Sequence, residues 1–313
     1  MTKSLCSLVD LPTELLVEIS SHYTNSFTFL SPFVRLEHNP QRQDRQQALR
    51  SLSQTSSLLR NLFLPILWEQ FDASKPNFPE SHTQTDFAKS VAPYIKSVHV
   101  SMHLWTLVEM QGIFLFVEFL RGLPNLTGLQ IQRVPWGIVP IITYAFHPVA
   151  LPGVTALSVP NSLDVIFPSF PNVTTLASPD LSSGDRLIPA ATENFPRLEA
   201  ISGLRLAHRS ESKTFISALS RAFPRLRALS VTKISLHDSS EPSEVLFDFL
   251  SGFSDLAHLS IVYEGHGQGP SLEALLDGGR QVLRASESRE TKVITVWSHE
   301  LPTGPEVIRV ERC

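Results

Sequence analysis

The chain has 313 residues, of which 42% are hydrophobic and 18% are charged, a composition typical of a folded globular protein rather than a disordered one. Its 26 Lys+Arg against 30 Asp+Glu give a net charge of −4, which argues against a basic surface for nucleic acid or anionic membrane. Cys6 and Cys313 stand at opposite ends of the chain and have neither metal-ligand spacing nor a disulfide framework. The sequence therefore predicts a globular protein that binds neither nucleic acid nor membrane.

Membrane-spanning and secreted classes are also disfavoured. The most apolar stretches, 113–120 and 137–146, are interrupted by Glu118 and Pro140 and fall well short of the roughly 20 residues that a membrane span needs. The opening MTKSLCSLVDLP lacks the long apolar segment and cleavage site of a secretory signal. We therefore expect the protein in the cytoplasm, the nucleus or both.

The first predicted elements are two short leucine-rich helices. LPTELLVEI begins at Leu11, and Leu11, Leu15, Leu16 and Ile19 form one apolar stripe on a helix that opens with a proline suited to its first turn. A second helix over 49–71 ends in LPILW. An apolar stripe on so small a unit usually marks a partner surface. The segment 23–47 between the helices includes HNPQRQDRQQ and is predicted to be a solvated loop or disordered insert.

The body of the chain is built on a repeated phrase. LPNLTGLQI, LPGVTALSV, FPNVTTLAS, FPRLEAISG, FPRLRALSV and FSDLAHLSI begin at residues 123, 151, 170, 195, 223 and 253, and a weaker copy, APYIKSVHV, begins at 92. The alternating apolar residues that close each phrase predict a short strand with one buried face. The proline ends the preceding helix, because the residue before a proline disfavours helical backbone.

Helical patterns fill the segments between phrases, at 213–223 and 243–253. The 19 residues between the phrase starts at 151 and 170 leave no room for a full helix, so an irregular unit is expected there. After the last phrase, a helix over 271–283, a strand over 291–297 and a closing strand over 307–311 are predicted, the last capping the open end of the sheet. The fold class is α/β with a curved parallel sheet; an ordinary α/β domain is the alternative.

This pattern resembles the leucine-rich-repeat proteins, which implies an irregular solenoid over 73–313. Residues 8–72, with a polar insert at about 24–47, resemble the F-box of fungal F-box proteins. The matching residues that would contact the adaptor or form the core of that module are Leu11, Pro12, Leu15, Leu16, Ile19, Leu52, Leu59, Leu62 and Trp68.

The resemblance implies a substrate-recognition subunit of an SCF-type ubiquitin ligase. Its F-box would dock a Skp-family adaptor, and through it a cullin, while the repeats would bind an unknown protein target. The alternative is a scaffold of leucine-rich repeats whose N-terminal helices only cap the solenoid. The two readings differ in whether the apolar face of 11–19 is open or buried.

No motif for catalysis, metal or cofactor is present, because the chain lacks a nucleophile elbow, a phosphate loop and an H-E-x-x-H pair. We therefore expect a non-enzyme without cofactor. The candidate recognition surface is the concave face of the sheet, where Arg is scarce, so a phosphorylated motif is not expected to be its main ligand. Its candidate residues are His99, Gln130, Ser158, Ser202, Ser230, His258 and Ser260.

Overall fold

The protein is an α/β structure built on one ten-stranded sheet. The computed structural model describes residues 15, 40–74, 90–103, 105, 110–180, 186–206, 217–233, 250, 252–263, 272–300 and 304–312. The strands are β1 Gln70–Asp72, β2 Ser97–Ser101, β3 Gly128–Gln132, β4 Ala156–Ser158, β5 Thr175–Ala177, β6 Ala200–Leu206, β7 Ala228–Lys233, β8 His258–Tyr263, β9 Val293–Glu300 and β10 Gly304–Arg312. They lie side by side in chain order, with β1 to β9 parallel and β10 antiparallel to β9.

The helices are α1 Pro40–Thr55, α2 Ser57–Trp68, α3 Met110–Arg121, α4 Val139–Phe146, α5 Leu187–Asn194 and α6 Leu272–Ala285. Short 3₁₀ helices occupy Ala92–Tyr94, Trp136–Ile138 and Asn161–Ser169. The last of these fills the short spacing before β5, as expected. Residues 217–222 are helical within the predicted 213–223, whereas most of the predicted helix over 243–253 lies outside the described residues.

Each of the seven phrases leads into a strand, so the predicted α/β class with a parallel sheet is confirmed. The alternating apolar residues of each strand lie on its buried face, as expected. Examples in the main core are Leu129 and Ile131 of β3 and Leu229 and Val231 of β7. The residue before each strand bonds to the next phrase through the backbone. For example, the Thr127 carbonyl accepts from the amides of Thr155 and Ala156 at 2.9 and 3.0 Å. This ladder holds successive phrases in one register.

Aromatic side chains fill the space between the sheet and its helices. Phe170, Phe195, Phe223 and Phe253 occupy the first position of four phrases, and all are buried. The Phe167 and Phe195 rings lie 4.6 Å apart, and those of Phe146 and Phe170 lie 5.7 Å apart. Tilted ring pairs of this kind stabilise beyond the area that they bury. Successive units therefore share one continuous core.

The N-terminal helices differ from the prediction. The loop or disordered insert expected up to residue 47 is wrong for 40–47, because α1 already begins at Pro40. Proline suits the first turn of a helix and Gln and Arg are good helix formers, so a polar segment without apolar periodicity still becomes helical. The single helix expected over 49–71 is also two helices. They are separated at Ser56, whose extended backbone and hydroxyl cap α2 by accepting from the Leu59 amide at 3.2 Å.

The C-terminal elements follow the prediction closely. Helix α6 spans Leu272–Ala285 against the expected 271–283, β9 begins at Val293 against the expected 291, and β10 includes the expected 307–311. Strand β10 pairs antiparallel with β9, with an irregularity between Val307 and Arg309. Within the described ranges, no helix is both long and apolar enough to cross a bilayer.

Candidate functional site

The first candidate surface is the pair α1 and α2, which has a small core of its own. Leu49, Leu59, Phe63 and Leu67 are buried together, and Leu52, Leu62 and Ile66 pack against them partly buried. Arg60 Nε donates to the Ser53 carbonyl at 3.2 Å and fixes the angle between the helices. This cluster is distinct from the main core, so the helix pair forms a separate packing unit.

Trp68 connects that unit to the sheet. Its side chain packs against both cores, and its ring lies 6.1 Å from the ring of Phe71 in β1. Lys96 and Glu69 add an exposed ion pair of 3.0 Å beside this junction. Exposed pairs contribute little, so the aromatic contact contributes more to this attachment than the ion pair does.

Among the described residues of the N-terminal region, two large apolar side chains are exposed to solvent. Leu15 is helical and 45% exposed, and Leu58 in the first turn of α2 is 53% exposed. Leu58 is adjacent to the buried Leu59 but points away from the small core. Sequence analysis missed Leu58 because it belongs to an apolar run, SLLRNLFLPILW, in which the outward positions cannot be recognised without the position of α1.

The predicted F-box residues fall into three groups. Leu59 is buried, and Leu52, Leu62 and Trp68 are partly buried, so these four contribute to the packing of the helix pair. Leu15 is exposed. Leu11, Pro12, Leu16 and Ile19 lie outside the described residues.

The second candidate surface is the sheet face opposite the helices, here called the outer face. The candidate residues do lie on this face, but most of them are buried. His99, Gln130, Ser158, Ser202 and Ser230 are buried, Ser260 is half-buried, and His258 is exposed. Ser260 Oγ accepts from Trp297 Nε1 at 2.9 Å. In this conformation only the β8 end of the set presents side chains to a partner, and its recognition role stays a prediction.

An acid–histidine pair lies at the β1 end of the outer face, with His99 buried and the Asp72 side chain 40% exposed. Asp72 is the register partner of His99, and its Oδ1 lies 3.4 Å from His99 Nδ1 and accepts from the Ser74 amide at 3.0 Å. Burial alone would raise the pKa of Asp72. The hydrogen bonds from His99 and Ser74 and the charge of His99 outweigh it, and the pKa falls well below its usual range. The side chain therefore stays ionised at neutral pH.

Sequence analysis overlooked Asp72 because it comes 27 residues before His99 and precedes no phrase. Strand β1 has only three residues and gives no alternating pattern to detect. Pairing with β2 alone brings the carboxylate to the histidine. No signal in the sequence would have joined these two residues.

Among the described residues of the outer face, four buried polar atoms have no hydrogen-bond partner: His99 Nε2, Gln130 Oε1, Ser230 Oγ and Thr232 Oγ1. Since buried polar atoms are nearly always paired, such atoms indicate positions where a further group can bind. Across the described part of the chain, no three His, Cys, Asp or Glu side chains are grouped as a metal site would require.

No protein-family model matches the chain, and no curated protein matches it in sequence. Function has to be argued from the surfaces just described.

Proposed function

We propose that the chain is the substrate-recognition subunit of an SCF-type ubiquitin ligase, docking a Skp-family adaptor through its N-terminal helices and a protein target through its solenoid of repeats. In this role it catalyses nothing itself and works in the cytoplasm or nucleus. The observation that carries the proposal is the exposed Leu58 on a helix pair with its own small core.

The exposed side chain of Leu58 favours a partner at this surface. The Leu58 side chain is 53% exposed, and it loses unfavourable contact with water when a partner covers it. The F-box resemblance names an adaptor as that partner. The separate core of α1 and α2 allows the pair to serve as a docking module while Trp68 keeps it attached to the sheet.

The test is co-purification with a Skp-family adaptor. We expect stoichiometric capture by the native chain and loss of capture by Leu58→Asp, because a charge at this position has to be desolvated on binding. Val165→Asp is the matched control: it is 43% exposed, likewise helical, and part of the Asn161–Ser169 helix between β4 and β5. It should bind the adaptor normally.

Circular dichroism of both variants must show native helix content before capture is compared. Failure of the folded native chain to bind any Skp-family adaptor would contradict the proposal. Equal loss in Leu58→Asp and Val165→Asp would show that the effect is not specific to the helix pair.

A second candidate is a scaffold whose N-terminal helices only close the sheet. The observation that favours it is the packing of Trp68 on Phe71, which places α2 at the β1 end. It predicts that no adaptor binds. Replacing Trp68 by alanine would destabilise the protein under either function. The same co-purification therefore separates the two functions.

A further inference from the structure

The turns that lead into β6 and β7 each carry an exposed arginine at the same place. The first turn is closed by the Leu198 amide, which donates to the Phe195 carbonyl at 3.1 Å, and the second turn has the equivalent bond at the same length. Arg197 and Arg225 are the third residues of these two phrases, and both side chains are exposed. One local structure is therefore repeated, with an arginine at the same point of each copy.

Strand pairing places the two arginines side by side. Ala200 of β6 is the register partner of Ala228 of β7, and each arginine comes three residues before its alanine. Neighbouring strands of a sheet lie about 4.8 Å apart. The two long side chains therefore start close enough to contact one bound segment.

The guanidinium groups of this pair have no structural role within the described part of the chain. Asn125 and Asn172 fill the same place in two earlier phrases, and each donates to the unit before it. Arg197 and Arg225, by contrast, form no hydrogen bond, ion pair or ring contact with the described residues. Their N–H donors are left to solvent or to a ligand.

The surrounding charges define the limits of the site. Arg227 is already matched by two carboxylates, Glu290 at 3.0 Å and Glu199 at 4.0 Å. Asp255 is the third residue of the next phrase, and among the described residues it forms no ion pair with Arg225. An anion at the turns before β6 and β7 therefore meets two unmatched positive charges, with a carboxylate at the turn that follows.

We propose that Arg197 and Arg225 bind an acidic segment of the target protein, with one carboxylate on each guanidinium. The planar fork of a guanidinium matches the two oxygens of a carboxylate. Alternate side chains of an extended segment lie on one side about 7 Å apart, within reach of two long side chains on neighbouring strands. The site lies at the edge where the strands begin and not on the outer face. The inference rests on the proposed role of the repeats in target binding and does not depend on adaptor docking.

The experiment measures the binding of a fluorescein-labelled peptide, Gly-Glu-Gly-Glu-Gly, to the full chain by fluorescence anisotropy at low ionic strength. The comparison peptide has glutamine in place of both glutamates, which keeps the shape and removes the charge. We expect the acidic peptide to bind more tightly and to lose affinity as salt is added, because exposed ion pairs are screened.

Variants link the binding to the two arginines. Arg197→Gln and Arg225→Gln should each weaken the acidic peptide about threefold, and the double variant about tenfold, as exposed ion pairs do. Asp255→Asn should tighten binding, because a neighbouring carboxylate no longer repels the ligand. Arg205→Gln is the matched control: this exposed arginine lies near the other end of β6, beyond the screening length, and its loss should leave binding unchanged. Thermal unfolding verifies that each variant is folded.

Four results would overturn the inference: equal binding of the two peptides, equal affinity in the native chain and the double variant, weaker binding in Asp255→Asn, or an equal loss in Arg205→Gln. Tighter binding of a glutamate-free peptide with one phosphoserine would show instead that the pair holds a single phosphate. Adaptor capture is a separate readout, so its failure leaves this result unaffected.

Discussion

At the scale of single residues, Gly203 shows a local requirement that the repeated phrase conceals. Ile201 pairs with Leu229 and Leu204 with Val231, so two residues of β6 face one of β7 in a bulge. Gly203 adopts φ +75°, and a Cβ there would lie 2.0 Å from the Ser178 carbonyl oxygen. The extra residue restores Leu204 to the core face. Only glycine satisfies both the backbone angle and the contact.

Gly203→Ala is expected to destabilise the fold by roughly 3 kcal/mol or more, since it combines a left-handed backbone angle with a clash against the main chain. Gly137→Ala is the control, because no atom lies within 4 Å of its Cβ position, and it should stay within about 0.5 kcal/mol of the native chain. Urea unfolding midpoints measure both. Similar midpoints for the two variants would contradict the structural role of the bulge.

At the scale of elements, two of the phrases bind the preceding unit through an asparagine at their third position as well as through the strand. Asn125 Nδ2 donates to the Pro93 carbonyl at 2.7 Å, and Asn172 Nδ2 donates to the Pro152 carbonyl at 2.9 Å. Each bond joins the third residue of one phrase to the proline of the preceding phrase. Asparagine is common in turns, but here its side chain connects two successive units.

Asn172→Ala is expected to lower stability by about 0.5–1.5 kcal/mol, the usual net contribution of one hydrogen bond. Arg225→Ala provides the comparison, because Arg225 occupies the same place in a later phrase and is exposed. Guanidinium unfolding with a two-state fit checks the difference. If Arg225→Ala lowers the free energy of unfolding as much as Asn172→Ala does, the hydrogen bond to Pro152 does not explain the loss.

Prediction from sequence succeeded for the repeated phrases and for the C-terminal elements, and it failed at the N-terminal end of the sheet. Every strand that follows a phrase was predicted, because alternation and proline recur in register. Strand β1 and the first half of α1 were missed, since three residues show no period and a polar helix shows no apolar face. Alternation assigned the candidate recognition residues to one face of the sheet, but it does not encode the packing that buries Ser202 and Ser230.

At the scale of the whole molecule, Trp68 is the contact that unites two cores. It packs against the small core of α1 and α2 and against the main core, next to Phe71. The ring centres of Phe71 and Phe119 of α3 lie 5.2 Å apart, so the aromatic contacts continue into the helix layer. The helix pair and the sheet should therefore unfold together.

Trp68→Ala is expected to separate these transitions and to cost about 2–4 kcal/mol, because a large partly buried ring is lost from both cores. Hydrogen exchange should then accelerate at the amides of α1 and α2 and stay slow in the central strands. The comparison variant is Trp136→Ala, whose ring is 78% exposed and whose loss should leave exchange unchanged. Uniform acceleration throughout the sheet after Trp68→Ala would contradict a junction role.

The antiparallel direction of β10 determines where repeat units can be added when such a chain lengthens by duplication. A parallel strand leaves an edge that the next identical unit can join, so an array of this kind has no intrinsic end. An antiparallel strand with an irregularity in its pairing breaks that template. At the β10 end, a duplicated unit therefore has to be inserted before β9, where it finds a parallel neighbour on both sides.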